Sequence, residues 1–506
     1  GYSENILNDG VLFIPVFPFK KEFIENEYKR NKKNLLDALN NIKVSYSNSV
    51  IIQFNYLGGN YVKEFKDLPT VQQNSVIVES VLWPSYPIEH FHAYYLNNTL
   101  TSATDAYLVP LVNHQSDEAF HQTYKNQRDD RTGVIRSFSS EFPVVTNVFS
   151  TNTDEYLGVF KVLPGKPRHS ENHQRCDIAI DFGTSNTNIL FSLTDQHNVK
   201  SEMLSLDIDQ NDYVIIVNDV LHTNELTNKF LPLNAVHMPF QTIFSRSENG
   251  DNNSPTPLMA GNIFFMAAAT NAMSAALNYE EFKNFLVLNL KWGNQNSLTR
   301  TYAQLFLEQL CLMASFVALR KKSNEIHFHF SYPDAFSDDA LNNYQMELNN
   351  VQANLEKKIK GNILKSCSIS CSESIAAVSY FNDPEVILSD TSVLIVDIGG
   401  GTSDIALFTV PENEQDYLYD ALFFTSIKWA GVKILIEPLI QYFDVIQQSA
   451  NLGRDFDEIT QNIKNEQDSS KKVMLIEAFL HKLGSDSLNK VIQRLWLSKN
   501  DAVKPL

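Results

Sequence analysis

Two stretches of this chain carry side chains whose types and spacing could do chemistry. One is "CDIAIDFGTSNTNILF", Cys176 to Phe191, and the other is "VLIVDIGGGTSDIALF", Val393 to Phe408. Each runs an apolar strand into an acid, then glycine, then hydroxyls, then a second apolar strand. Asp181 in the first answers Asp397 in the second, 216 positions on (397 − 181), and Gly183 answers Gly399. Glycine lets a backbone turn tightly and come close to a ligand. Successive amides in such a turn form a nest that holds an anion. Gly183, Gly399, Gly400 and Gly401 supply the amides, while Thr184, Ser185, Asn186, Thr402 and Ser403 add polar side chains. An acid beside bound phosphate repels it unless a cation stands between. Mg²⁺, which takes carboxylate, water and phosphate oxygens, suits Asp181 and Asp397. One glycine-rich turn is a weak sign of such a site; two with the same grammar predict a polyphosphate held from both sides. Asp404 is open to two readings, a further acid of the site or a cap on its own turn.

The elements that must position these residues are legible in the same pattern. Strand, turn and strand make a hairpin, with the chemistry at the turn. From Cys176 onward strand-like runs alternate with helical ones, which predicts an α/β architecture. "TYAQLFLEQLCLMASFVALRKK" (301–322) reads as an amphipathic helix with a basic end, "EIHFHFSYPDAF" as a strand leaving into a turn, and "SESIAAVSYF" as a short helix. "SRSENGDNNSPTP" (245–257) reads as a surface loop. After about 432 the pattern is mainly helical, through "VKILIEPLIQYFDVIQQ", "KKVMLIEAFLHKL" and "LNKVIQRLWL". Residues 1–170 differ: "GVLFIPVFPF", "SVIIQFNYL" and "SVIVESVLW" are short β-branched and aromatic runs punctuated by Gly, Pro and Asn, with one helical segment, "KKNLLDALNNI". That predicts a β-rich N-terminal domain, and "LPGKPRHSENHQ" (163–174) reads as the linker after it.

Bulk composition narrows the function classes. With 506 residues, 43% of them hydrophobic, the chain can bury several cores. A formal net charge of −18 argues against a general nucleic-acid or anionic-membrane binder, which needs basic surface. Four cysteines are too few for a disulfide framework, so small buried thiols in a reducing cytoplasm are expected. The paired histidines His90–His92 and His327–His329 have a spacing that puts two imidazoles on one strand face, but neither pair has a third ligand in view. No run is read as a membrane span, and the start lacks a signal peptide's basic region. The chain opens on glycine rather than methionine, as a fragment would.

The two motifs resemble the phosphate-1 and phosphate-2 loops of the actin, sugar-kinase and heat-shock-chaperone superfamily. The order of the intervening segments is most similar to the ATPase domain of the heat shock protein 70 family. "MPFQTIF" and "PLMAGNIFFMAA" resemble that family's proline-led strand and glycine-bearing segment, and "VLNLKWGN" resembles the segment carrying its phosphate-contacting lysine, here Lys291. "HFSYPDAFSDDALNNY" is similar to its strand, turn and helix, and "CSESIAAVSYF" to its connecting helix, whose acid would be Glu373. "LFFTSIKWAGVKILI" is similar to the segment after phosphate 2, with Gly431 at the turn. The resemblance implies a two-lobed actin-like ATPase of duplicated ribonuclease H-like lobes. Lobe I would cover 175–385 and lobe II 386–506, the second ending incomplete, with residues 1–170 in front as an accessory domain. It implies ATP or ADP with Mg²⁺, and phosphoryl transfer to water. Asp181 and Asp397 would serve the metal and its waters, Lys291 the γ-phosphoryl charge, and Glu373 a water or the nucleotide state. It also implies a protein partner or client controlled by lobe closure and engaged through the N-terminal domain, with no nucleic-acid or membrane partner. Three departures stand out: about 170 residues precede phosphate 1, Ala430–Gly431 replaces a double glycine, and no adenosine-cradling loop is recognisable before Leu506. An actin-like ATP-dependent scaffold and a nucleotide-binding adaptor without turnover stay open as alternatives.

Overall fold

The computed structural model describes residues 7–8, 11–12, 19–46, 50–65, 78–102, 104–111, 127–130, 133–162, 164–165, 174–194, 199–202, 212–216, 240–248, 256–264, 283–291, 297–379, 392–409, 420–427, 429–450, 454–483 and 493. The fold is mixed α/β, as the alternation of patterns predicts. Its central sheet is built on the first motif. Strands β1 (Arg175–Phe182) and β2 (Asn186–Thr194) form an antiparallel hairpin, extended by β3 (Val199–Glu202), and β4 (Phe240–Gln241) pairs with the start of β2. Helix α1 (Ser297–Arg320) leads to β5 (Glu325–Tyr332), which lies parallel to β1; helix α2 (Asp338–Lys358) then leads to β6 (Leu364–Ser372), parallel to β5. The resulting order is β3-β2-β1-β5-β6.

Alternation along these strands decides which face is buried. Cys176, Ile178, Ile180 and Phe182 point inward with Phe328 and Phe330, where Phe182 meets Phe306 of α1 and Tyr344 of α2. Helix α2 starts where Ser337 Oγ accepts from the Ala340 amide; Asp338 and Asp339 lie in its first turn and Lys357 and Lys358 in its last, matching the helix dipole. Helix α1 is apolar on nearly all sides and buried on all of them, because a second layer covers its far side. Among the described residues this is the one helix long and apolar enough to cross a membrane, and 89% of that window is buried within the protein. Its one buried acid, Glu308, is paired with Lys358 and accepts from Asn354 at 3.0 Å.

The second layer comes from the N-terminal segment. Strands Ser80–Trp83, Tyr94–Thr99, Val134–Ser139 and Gln127–Asp129 form one sheet, and Ala106–Pro110, Val145–Ser150 and Tyr156–Lys161 another. A helix, Lys21–Asn40, packs with a three-stranded meander over 43–65. Trp83 and Phe91 lie against Phe316 of α1, with ring centroids 5.1 and 6.1 Å away. Strand Val214–Ile216, from beyond the linker, joins the N-terminal sheet. Residues on both sides of 163–174 therefore share one hydrophobic core.

The second motif forms its own sheet, β7 (Ser392–Ile398), β8 (Ser403–Thr409) and β9 (Asp420–Ile427), all antiparallel, and helix α3 (Glu373–Ser379) precedes it. Ile395, Ala406 and Phe408 face Ala377 of α3. Beyond 431 the described elements are helices, α4 (Ser469–Leu483) among them. Its residues Met474, Leu475 and Phe479 share a core with Ile243 and Leu286 from the other side of the molecule. The predicted helix "LNKVIQRLWL" lies outside the described residues, Gln493 excepted.

Candidate functional site

Both predicted turns are hairpin turns, and the structure brings them together. In the first, Asp181 pairs across the hairpin with Asn188 and Phe182 with Thr187, so the chain reverses over 183–185. A Cβ on Gly183 would stand 2.2 Å from the Asn186 carbonyl oxygen, so no larger residue fits this turn as built. Thr242 braces it: its hydroxyl donates to the Gly183 carbonyl at 2.9 Å, its amide donates to the Ser185 carbonyl at 2.8 Å, and the Thr187 hydroxyl lies 2.8 Å away. In the second turn Asp397 pairs with Asp404 and Ile398 with Ser403. The Gly399 amide donates to Thr402 O and the Gly431 amide to Gly399 O, both at 2.9 Å, while Ser403 Oγ donates to Trp429 O at 2.6 Å. Gly399, Ser403 and Gly431 thus use these groups to shape the turn. The two turns touch, since a Cβ on Gly400 would lie 2.1 Å from Ser185 Oγ.

A cleft of about 530 Å³ opens at this junction. Thr184, Ser185, Gly400, Gly401 and Thr402 line it, as the sequence reading expects of phosphate-holding residues. Thr242, Asn289, Ser470, Met474 and Glu477, none of which the sequence singled out, line it as well. Thr242 lies within the quoted segment "MPFQTIF", but its role depends on a contact 55 or more positions away. Ser470 and Glu477 sit seven residues apart on one face of α4, a spacing any amphipathic helix shows.

The predicted charged residues form a second, coupled group at the strand ends. Lys291 is only 6% exposed and ion-paired with Glu373 at 2.5 Å. Burial, reinforced by the charges of Asp181 and Asp404, pushes the Glu373 carboxyl up to about 7 even with Lys291 beside it. Asp397 is raised as well, by desolvation and then by Asp181 and Asp404. Asp404 is buried in β8 and is raised mainly by burial, against which its cross-strand neighbour Ser426 acts. Thr402 Oγ1 lies 3.4 Å from one of its oxygens, so Asp404 meets its own turn at the limit of a hydrogen bond. Four acids against one lysine is a donor set that suits a hard divalent cation. Among the described residues no three His, Cys, Asp or Glu side chains converge closely enough to ligate a metal directly, so a cation here would be held largely through water.

Neither histidine pair is a metal centre. His90 has φ +67° and is not in an extended strand, which removes the common face expected of His90 and His92. His327 and His329 do share a face of β5, but their Nδ1 atoms lie 3.1 Å from Ser366 and 2.9 Å from Ser370, and His329 Nε2 is 2.8 Å from Asp177. The four cysteines are free, and three are buried.

The class that the fold and site define is therefore a mixed α/β protein with two matched glycine-turn hairpins meeting at a cleft; the charged group of Asp181, Lys291, Glu373, Asp397 and Asp404 is not among the residues that line it. No family model matches the chain, and no curated protein matches it. Among solved structures it is similar to the crystal structure of MreB5 of Spiroplasma citri bound to ADP. That match is 14% identical, covers 65% of this chain and 80% of that one, and has a TM-score of 0.28. So low a score carries no argument, and function is read from the site's geometry.

Proposed function

We propose that this chain is a Mg²⁺-dependent ATP- or ADP-binding protein of the actin-like superfamily, hydrolysing ATP by transfer of the γ-phosphoryl to water. One observation carries the reading: two hairpin turns of the same sequence grammar, 216 residues apart (397 − 181), touch at the Ser185–Gly400 contact and open onto one cleft. Thr184, Ser185, Thr402 and backbone amides of the turns would hold phosphate oxygens. Asp181 and Asp397, with Asp404 beside them, would hold Mg²⁺ through water, and the cation would offset phosphate charge. Lys291 would supply positive charge from its pair with Glu373. Catalysis of this kind is mainly positioning and charge stabilisation. The order β3-β2-β1-β5-β6 supports a ribonuclease H-like first lobe, as the heat-shock-chaperone resemblance implies. In the same reading, closure of the cleft controls a protein partner. The hairpin tip that exposes Leu57, Tyr61 and Val62 is the part of the N-terminal layer best suited to meet it.

The test is Mg²⁺-dependent ATP binding by calorimetry, with phosphate release, for wild type, Asp181→Asn and Asp397→Asn. Wild type should bind and turn over, and each variant should lose the Mg²⁺-dependent part of its affinity. A wild-type protein that binds neither ATP nor ADP sinks the reading. A second reading, ATP-dependent assembly of copies, is favoured by the exposed apolar outer face of the β7-β8-β9 sheet. Pelleting with and without ATP separates the two.

A further inference from the structure

Helix α4 lines the cleft and is hydrogen-bonded to two segments beside the site, one next to the first turn and one next to Lys291. Gln241 Nε2 donates to Glu477 Oε2 at 3.0 Å, and Asn289 Nδ2 donates to Ser470 Oγ at 2.8 Å. The two partners on α4 are seven residues apart, with the cleft-lining Val473 and Met474 between them, so a single helix face makes both contacts. The residues on the other side are placed with equal economy. Gln241 pairs with Asn186 at the start of β2 and immediately precedes Thr242, whose amide and hydroxyl brace the first turn. Asn289 sits two residues before Lys291 and holds a left-handed backbone, φ +56°, a conformation asparagine tolerates better than most residues. Beneath these polar contacts runs an apolar seam of Met474, Leu475 and Phe479 against Ile243 and Leu286.

We propose that α4 is the element that senses site occupancy, coupled to the first phosphate turn through Gln241–Glu477 and to the Lys291 segment through Asn289–Ser470. The inference rests on the nucleotide reading of the cleft and adds to it the part that moves. A phosphate settling on the first turn displaces Gln241 with Thr242, because the two are consecutive and the turn is rigidly braced. A shift of Gln241 is felt at Glu477, whose carboxyl is half-buried in the cleft wall. The same two contacts tie the walls together, so nucleotide leaves only when they part. Interactions that hold a site closed act chiefly on the dissociation rate.

Two measurements on the full chain test this. The first is release of a fluorescent ATP analogue, chased with excess ATP. Gln241→Leu and Ser470→Ala, combined, should release it about tenfold faster than wild type, the effect expected of losing hydrogen bonds worth roughly 1.4 kcal/mol. The second is amide hydrogen exchange with and without Mg²⁺-ATP. In wild type, residues 469–483 should gain protection together with the two turns; in the double variant the turns should still gain it and the helix should not. Circular dichroism and melting temperature confirm that the variants fold. Unchanged release, or a helix that responds fully in the double variant, overturns the proposal. If wild type binds no nucleotide, the functional reading fails, and exchange in the ligand-free proteins still decides the coupling: 469–483 must exchange faster in the double variant, and equal exchange overturns it.

Discussion

The two hairpins share a grammar and differ in what covers them. Aligned on their acids, Ile178, Ile180 and Phe182 of β1 correspond to Leu394, Val396 and Ile398 of β7. The first three are 0, 1 and 2% exposed; their counterparts are 62, 50 and 56% exposed. In the first sheet that face lies against α1 and α2, and β1 is flanked by a parallel strand. In the second, among the described residues, β7 pairs with β8 alone. The acids differ too: Asp181 faces Asn188 across its hairpin, whereas Asp397 faces Asp404. The same local pattern therefore serves two different tasks. The first hairpin is a rigid half-site built into a large core; the second packs on one face only, through the small cluster of Ile395, Ala406 and Phe408, and is held at its turn through Gly431 and Ser403.

That contrast can be broken most forcefully by truncation on each side. Ile180→Ala should cost about 3 kcal/mol of stability in urea unfolding, through lost burial and a cavity. Val396→Ala should stay within about 0.5 kcal/mol, as surface substitutions do. Equal costs would show that the outer face of β7 is covered in solution. The glycines offer a second, smaller contrast. Gly183→Ala drives a Cβ into a backbone oxygen of its own turn, so it should cost on the order of 2 kcal/mol and abolish nucleotide binding. Gly400→Ala clashes chiefly with the Ser185 side chain, at 2.1 and 2.7 Å, with the Ser185 backbone nitrogen further off at 3.2 Å, so it should keep most of the stability and lose affinity, and Ser185→Gly added to it should restore part of that affinity.

The acids give the mildest and most specific test. The folded-state values of Glu373, Asp397 and Asp404 lie above the ordinary 4.5 and 3.8, so between those values and about 7 the folded protein binds more protons than the unfolded chain. Their stabilising effect is complete below the ordinary values and is lost as pH rises through the raised ones. Ligand-free stability should therefore fall from pH 5 toward pH 8, and Mg²⁺ with nucleotide should flatten that slope. Asp404→Asn, which gives the second hairpin the acid–amide pairing of the first, should also flatten it; a slope unchanged in this variant would place the effect elsewhere.

Much of this was legible in the sequence because it is local. Acid, glycine and hydroxyl at fixed spacing specify a strand–turn–strand unit within sixteen residues, and the apolar run over 301–320 specifies a buried helix. What was not legible depends on distant contacts. Nothing in "MPFQTIF" marks Thr242 as the brace of a turn 55 residues earlier, and nothing in α4 distinguishes Ser470 and Glu477 from other polar positions. The alternation of Leu394, Val396 and Ile398 reads like that of Ile178, Ile180 and Phe182, because a strand's pattern records which face is apolar and not whether anything lies on it. The roles expected of Gly399, Ser403 and Gly431 as direct ligand contacts shift for the same reason: their turn-shaping partners are set by how the turn closes on 429–431.

The core shared across 163–174 bears on the history of the chain. Trp83 and Phe91 fill the far side of the helix whose near side supports the first turn. A layer attached this way is not cargo that recombination could exchange while leaving the cleft untouched. Its loss would leave Phe316 and its neighbours facing water, in the helix that backs Phe182, one residue from the first turn's glycine. A helix this apolar on its far side requires such a cover, so changes in 300–320 and in the layer over it are constrained together.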